Sequence, residues 1–396
     1  MAPAKTHLRG LRVVAISGLA LLVALLMAGS VWHTQLRVYF KALMYRPQTR
    51  IYYVAAENAS WDYAPMHVDP MTNEPVPAPW GNQTVYQKTR YIQYTDDSFT
   101  TKVPQPQSQG ILGPTIRGVV GDTIKVVFYN KGSKDYSMHP HGLEYDKDNE
   151  GSVDAMESVN GDFDGDSGAA PVPQTNGSMA PKTEAEKEMA EMGRIMPNAG
   201  AGAKVAPGAK YTYTWKVRPE AGPTGNQSSR VWLYHSHVGL HDIYDGLVGP
   251  IVVTAPGYST KDATPYDVKD EYMALFMIFD ESTPGMTDDE REAATKHTIN
   301  GMFFDNLQGY YLAQGEKTRW YVMDLGNEVD VHTPHWHGNT VRETSGQTTD
   351  VLELLPASMQ TVDMVPDKPG TWMFHCHVVD HMNAGMMASY TVYQSH

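Results

Sequence analysis

From about residue 51 onward the chain carries short runs rich in apolar, β-branched and aromatic residues: TIKVVFYN, KYTYTWKV, GPIVVTAP, MALFMIFD, TRWYVMDL and GTWMFHCH. Gly, Pro, Asn and Asp turns separate them, the pattern of an all-β sandwich or barrel. Ahead of these strands the pattern is different. Val13 to Trp32 is one continuous apolar run preceded by Lys5, Arg9 and Arg12, long enough to cross a bilayer as a helix of about 20 residues. The run predicts export. Ala28 and Ser30 mark where a signal would be cleaved, but the run exceeds a typical signal core, which favours an uncleaved single-pass anchor. The expected location is therefore the extracytoplasmic face of a membrane, with a secreted or periplasmic protein as the alternative.

Two parts of the chain repeat each other. In the first, GDTIKVVFYNKGSKDYSMHPHG is followed much later by RVWLYHSHVGLHDIYDGLVGPIVV; in the second, GEKTRWYVMDLGNEVDVHTPHWHG is followed by GTWMFHCHVVDHMNAGMMASYTV. Each carries His-x-His-Gly and then a second His-x-His. The expected organisation is an anchor and linker at 1–50, one β domain at 51–256, a linker at 257–268 and a second β domain at 269–396. An insertion at about 150–206 interrupts the first domain. Within it, Thr183 to Met196 reads as a short exposed helix. Asp162, Asp164 and Asp166 alternate in GDFDGDSG and suggest calcium, yet the segment lacks the turn glycine and terminal glutamate of an EF-hand loop, so a solvated acidic turn is the simpler reading. Met179, Met189, Met192 and Met196 suit ordinary packing better than a soft copper(I) site.

The length of 396 residues fits two domains, each able to bury its own core. A net charge of −14 argues against nucleic-acid partners. The single cysteine, Cys376, excludes an intramolecular disulfide and poses a chemical question. Eight of the sixteen histidines form four His-x-His pairs: His139/His141, His235/His237, His335/His337 and His375/His377. Side chains two apart on a strand share a face, so each pair presents two imidazoles together. Cys376 stands inside the last pair, with His381 five residues on, Met386 ten residues on, and His332 opening HTPHWHG. A thiolate with two imidazoles and a thioether is the ligand set of a blue-copper electron-transfer centre. The first repeat has Ser236, Gly246 and Tyr136 in place of Cys376, Met386 and His332; only His241 remains, predicted to be a leftover imidazole satisfied by hydrogen bonds.

The motifs HPHG, HSH, HTPHWHG and HCHVVDHMNAGM resemble those of the multicopper oxidases over most of the chain from about Ile51. IYYVAAENASWDYAP and HPHGLEYDKDNEG are similar in wording to the six-domain ceruloplasmin and hephaestin branch, whereas two domains with the blue copper in the second resemble two-domain laccases. The resemblance implies two cupredoxin-like domains of Greek-key β-sandwich or barrel type. It implies four coppers per active site: type 1 on His332, Cys376, His381 and Met386; type 2 on His139 and His335; and a type 3 pair on His141, His235, His237, His337, His375 and His377. It implies oxidation of a reductant one electron at a time and reduction of dioxygen to water. Glu292, His297 and Asp380, with Glu328 from a neighbouring chain, match the iron-oxidising positions of ceruloplasmin, so ferrous iron is the expected substrate. Phenols, cuprous or manganous ions in a laccase-like reaction are the alternative. A copper nitrite reductase would need only three type 2 histidines and a type 1 copper in the first domain, and a scaffold would lack most ligands. Each repeat supplies four of the eight cluster histidines, so the cluster is expected where a first domain faces a second. A head-to-tail homotrimer then makes a ring of six domains, the alternative being a cluster within one monomer.

Overall fold

The computed structural model describes residues 34–153, 200–239 and 241–394. The apolar run at 13–32, the predicted helix at 183–196, the four methionines and the aspartates of GDFDGDSG lie outside the described residues. Among the described residues no helix is long and apolar enough to cross a membrane.

Strands dominate, in two similar pairs of sheets. In the first pair, one sheet runs Val85–Tyr94, Thr49–Asp62, Thr123–Asn130, Lys210–Lys216, and the other Ile116–Val119, Val248–Thr254, Ser229–His235, His139–Pro140. In the second pair, Thr295–Ile299, Asp270–Asp280, Thr318–Asp324 and Met359–Met364 repeat the first order, extended by two short strands. The facing sheet Tyr311–Ala313, Met387–Tyr393, Gly370–Cys376, Pro334–Trp336 repeats the second. Even the mixed pairings recur: Thr49–Asp62 runs parallel to Thr123–Asn130, as Asp270–Asp280 does to Thr318–Asp324. Neighbours that are not consecutive in the chain require crossovers between sheets, as Greek-key folds do. The internal sequence repeat is thus a repeat of architecture.

Each pair of sheets closes on its own core. Val54, Val126, Phe128 and Trp215 meet Tyr234, Ile251 and Val253 in the first, and Phe276, Trp320 and Val322 meet Trp336, Phe374 and Tyr390 in the second. A third apolar cluster joins the two halves, with Val231, Leu233, Val248 and Val252 packed among Leu275, Met277, Phe279, Tyr321 and Met323. That is why Val248–Thr254 and Thr318–Asp324 are buried at every position: one face serves an internal core and the other the joint between halves. Polar clamps cross the same joint. Arg319, fully buried, donates to both oxygens of Asp363 at 2.6 and 2.8 Å and to the hydroxyls of Ser228 and Ser229 at 2.6 and 2.7 Å. Asn300 donates to the Ser108 and Met273 carbonyls, both at 2.8 Å, and accepts from the Leu275 amide at 2.6 Å. The segment between the halves is itself ordered, with Thr254 donating to the Ala263 carbonyl at 2.7 Å.

Candidate metal centre

Strand Gly370–Cys376 does two jobs because its side chains alternate. Phe374 and Cys376 point into the core of the second half, while His375 stands on the opposite face. Antiparallel pairing sets His335 directly against His375 and Pro334 against Cys376, and opposite residues share a face. His335, His337, His375 and His377 therefore gather outside the core, with ring centroids 4.8 to 5.5 Å apart for the neighbouring pairs. The first half builds the same quartet by the same register, His139 opposite His235. Its rings lie 5.2 to 5.6 Å apart. Among the described residues no ring contact or hydrogen bond joins one quartet to the other.

Five of the eight quartet imidazoles are held neutral, the state a metal-ligating histidine needs. Burial, with neighbouring imidazoles adding to it, pushes His235 down to about 3 and His141 and His375 down to about 4; His139 and His335 are lowered for the same first cause. Neutral rings keep one lone pair each. His139 donates from Nδ1 to the Glu150 carbonyl at 2.7 Å, His235 to Ser236 at 2.8 Å and His375 to Cys376 at 2.7 Å, which leaves Nε2 as the free donor atom in all three. The Nε2 atoms of His141 and His235 lie 3.1 Å apart, and those of His337 and His375 3.0 Å. Two nitrogens each about 2 Å from one metal have about that separation. The Nδ1 atom of His335 is buried with no hydrogen-bond partner among the described residues, which suits a metal-ligating ring.

On the core side of the same strand, His332 Nδ1 and His381 Nδ1 lie 3.1 Å apart, and Cys376 Sγ is 3.8 and 3.6 Å from them. All three residues are buried and form one metal-competent group. Met386 is buried in the same cluster; its carbonyl accepts from the Cys376 amide and its amide donates to the His381 carbonyl, both at 3.0 Å. Burial raises the Cys376 thiol and lowers His381 to about 4, so a metal is needed to draw out the thiolate. A sulfur and two nitrogens held this close suit copper.

Sequence reading overlooked what holds His332. Its Nε2 donates to Asp330 Oδ1 at 3.2 Å, and Asp330 in turn accepts from the amides of Ile278 at 2.8 Å and Asn327 at 2.9 Å. Beneath it, Asp324 is fully buried with neither oxygen hydrogen-bonded, and burial pushes it up to about 8, with Asp330 adding to the effect. The signal was a carboxylate two residues before a ligand, in GNEVDVH.

The first half departs from expectation at one residue. His241 is exposed and its imidazole makes no hydrogen bond among the described residues, its ring 6.3 Å from that of Tyr244. The buried residue is Asp242, which accepts from Ser236 Oγ at 2.6 Å and the Gly239 amide at 3.1 Å. Serine in place of cysteine needs an acceptor, and the carboxylate supplies one, displacing the imidazole to solvent.

The four residues expected to hold iron are not drawn into one donor group among the described residues. The His297 ring lies 5.1 Å from that of His381, its Nδ1 is buried without a partner, and burial pushes it down to about 3. Asp380 is exposed on the short helix Val379–Asn383, Glu292 is exposed on Asp288–Ala294, and Glu328 is exposed in the turn before Asp330.

Comparison with known proteins agrees with this geometry. Residues 279–396 match the family model described as multicopper oxidase. Over 87% of this chain, ferroxidase HEPHL1 and hephaestin of Mus musculus are 31% and 32% identical, and ceruloplasmin of Homo sapiens is 32% identical. The chain spans 29%, 29% and 32% of their respective lengths. Among solved structures, a crystal structure of a multicopper oxidase has a TM-score of 0.54 at 18% identity, covering 87% of this chain and 89% of that one. The blue copper oxidase of Nitrosomonas europaea has a TM-score of 0.51 at 17% identity, covering 87% and 86%. Residues 279–396, with the buried Cys–His–His group and the second histidine quartet, are thus a multicopper oxidase domain, in a chain similar over 87% of its length to these relatives.

Proposed function

We propose that this chain is the protomer of an exported oxidase that removes single electrons from a reductant, foremost ferrous iron, and passes them to dioxygen, making water. The observation that carries the reading is Cys376: peptide bonds join it on both sides to histidines of a quartet, while its sulfur faces His332 and His381 on the other side of the strand. Copper bound at these residues would supply one-electron exchange at the cysteine and multi-electron reduction of dioxygen at the paired quartets. His332, Cys376, His381 and Met386 would hold the type 1 ion, His139 and His335 the type 2 ion, and the other six quartet histidines the type 3 pair. The strand backbone gives a short covalent path between the two sites. The Nδ1 hydrogen bonds of His139, His235 and His375 keep those rings oriented throughout.

Each quartet would be half a cluster, and among the described residues no ring contact or hydrogen bond joins the two. A head-to-tail homotrimer would bring His139, His141, His235 and His237 of one cupredoxin-like domain against His335, His337, His375 and His377 of a neighbouring chain.

Support for iron comes from His297 beside His381, from Asp380 next to His381 in the chain, and from relatives named as ferroxidases. Hard carboxylate ligands favour ferric over ferrous iron and so make it a better electron donor. The scattered, exposed positions of Glu292, Asp380 and Glu328 support the competing reading, laccase-like oxidation of phenols or of other reduced ions. Glu292→Ala and Asp380→Ala variants that keep their blue colour decide between them: the iron reading expects ferrous oxidation to fall at least about tenfold while oxidation of a bulky phenol is retained. A parallel fall in both, or no fall, replaces it with the laccase reading.

A further inference from the structure

A cavity with cationic groups in an otherwise largely apolar wall lies away from the histidines, where the edge strand Val85–Tyr94 meets the segment at 102–117. Its volume is about 580 Å³. In a chain of net charge −14, its wall contains Arg90, Lys102 and Arg117, the amides of Gln93 and Gln107, and no carboxylate. Arg117 is held by Glu271 at 3.0 Å, and Lys102 by Glu57 at 2.6 Å. Arg90 has no such partner. Its Nε donates to the Ile111 carbonyl at 3.1 Å and its Nη2 to the Gly110 carbonyl at 2.7 Å, while the guanidinium lies 4.6 Å over the Trp61 ring. The Trp61 ring is itself fixed by its Nε1 hydrogen bond to the Gly301 carbonyl at 2.7 Å. Nη1 makes no hydrogen bond among the described residues and belongs to a side chain that lines the cavity.

A guanidinium pinned by two carbonyls and an indole cannot swing out to water, and carbonyl dipoles do not cancel its charge. Burial alone pushes it down to about 10, with no opposing carboxylate, so it is still a cation at neutral pH. An uncompensated, partly buried cation is costly unless something supplies the anion. Lys102 stands at the mouth with 57% of its side chain exposed; its exposed pair with Glu57 is weak and can be exchanged for another anion. One fixed cation inside, one movable cation at the rim and glutamine amides between them outline a ligand with more than one carboxylate.

We propose that this cavity binds a small organic polycarboxylate, one carboxylate on Arg90 Nη1 and a second within reach of Lys102. The cavity exceeds what a single inorganic oxyanion fills, and the Trp61 and proline walls favour carbon between the charged ends. Arg90 touches none of the proposed copper ligands, so the binding is separable from electron transfer.

Calorimetry on the full-length, copper-loaded protein tests this, with tricarballylate as the probe and inorganic phosphate as the comparison. One saturable site per chain is expected for tricarballylate, with a Kd below about 1 mM. Arg90→Gln, which removes the charge, and Gln93→Glu, which places an anion in the cavity, should each weaken binding about tenfold or more while blue absorbance is unchanged. Absence of saturable heat, binding that survives both substitutions, or phosphate bound as tightly as tricarballylate would overturn the proposal.

Discussion

At the scale of single residues, the account rests on Cys376 and on what orients its neighbours. Cys376→Ser should abolish the blue absorbance and the oxidation of every substrate, while copper analysis still finds the quartet ions, because serine offers a poor ligand in a site that is otherwise intact. A blue, active variant would remove the cysteine from the path. Asp330 acts through His332: its carboxylate accepts a hydrogen bond from Nε2, which leaves Nδ1 free to face a metal. Loss of such a partner costs about 10- to 100-fold in metal affinity. Asp330→Asn should therefore weaken copper at the blue site by that order and raise its reduction potential, since a negative charge that favours the oxidised ion is gone. Quartet occupancy should not change. An unaltered blue band and potential in this variant would show that Asp330 serves only the Ile278 and Asn327 amides.

At the scale of elements, the alternation of strand Gly370–Cys376 explains why so much of the site was legible. Four His-x-His pairs mean four shared faces wherever the backbone is extended, and the repeat in sequence became a repeat of sheet order. Sequence could not reveal Asp242, because whether His241 or its neighbour turns inward depends on an acceptor for Ser236 that exists only once the strands are packed. Nor could it show how far Glu292 and Asp380 stand from His297, since both lie on helices whose placement is tertiary. The packed quartets have a measurable pH signature in metal-free protein. His235, His141, His375, His297 and His381 titrate near 3 to 4 when folded, against 6.5 as the ordinary value. Below 6.5 the unfolded chain therefore binds more protons than the folded one, and stability must fall as pH falls from 6.5 toward about 4. The Tm of apo-protein should drop through that window, and His235→Gln should make the drop shallower; a flat profile would contradict neutral, buried imidazoles. The joint between halves gives a second element-level test. Arg319→Ala takes from Asp363 its buried partner, leaving it only Lys317 at 3.6 Å, and empties a fully buried site, so it should cost about 3 kcal/mol. A denaturant midpoint close to wild type would deny the clamp its role.

At the scale of the whole molecule, no ring contact or hydrogen bond joins the two quartets among the described residues, and the head-to-tail trimer proposed above would make assembly part of the active site. Chains carrying His235→Ala are defective in the first quartet and chains carrying His377→Ala in the second. Mixed and reassembled, they should regain a fraction of wild-type oxidation, because one interface per mixed pair then unites two intact quartets. No recovery, together with an active monomer in light scattering, would place the cluster within one chain. The oxidase itself is tested most directly by following ferrous oxidation and dioxygen uptake in the same closed vessel with copper-loaded protein. The account predicts four ferrous ions oxidised for each dioxygen consumed, with no peroxide detected. Release of peroxide, or iron oxidation without matching dioxygen uptake, would contradict it.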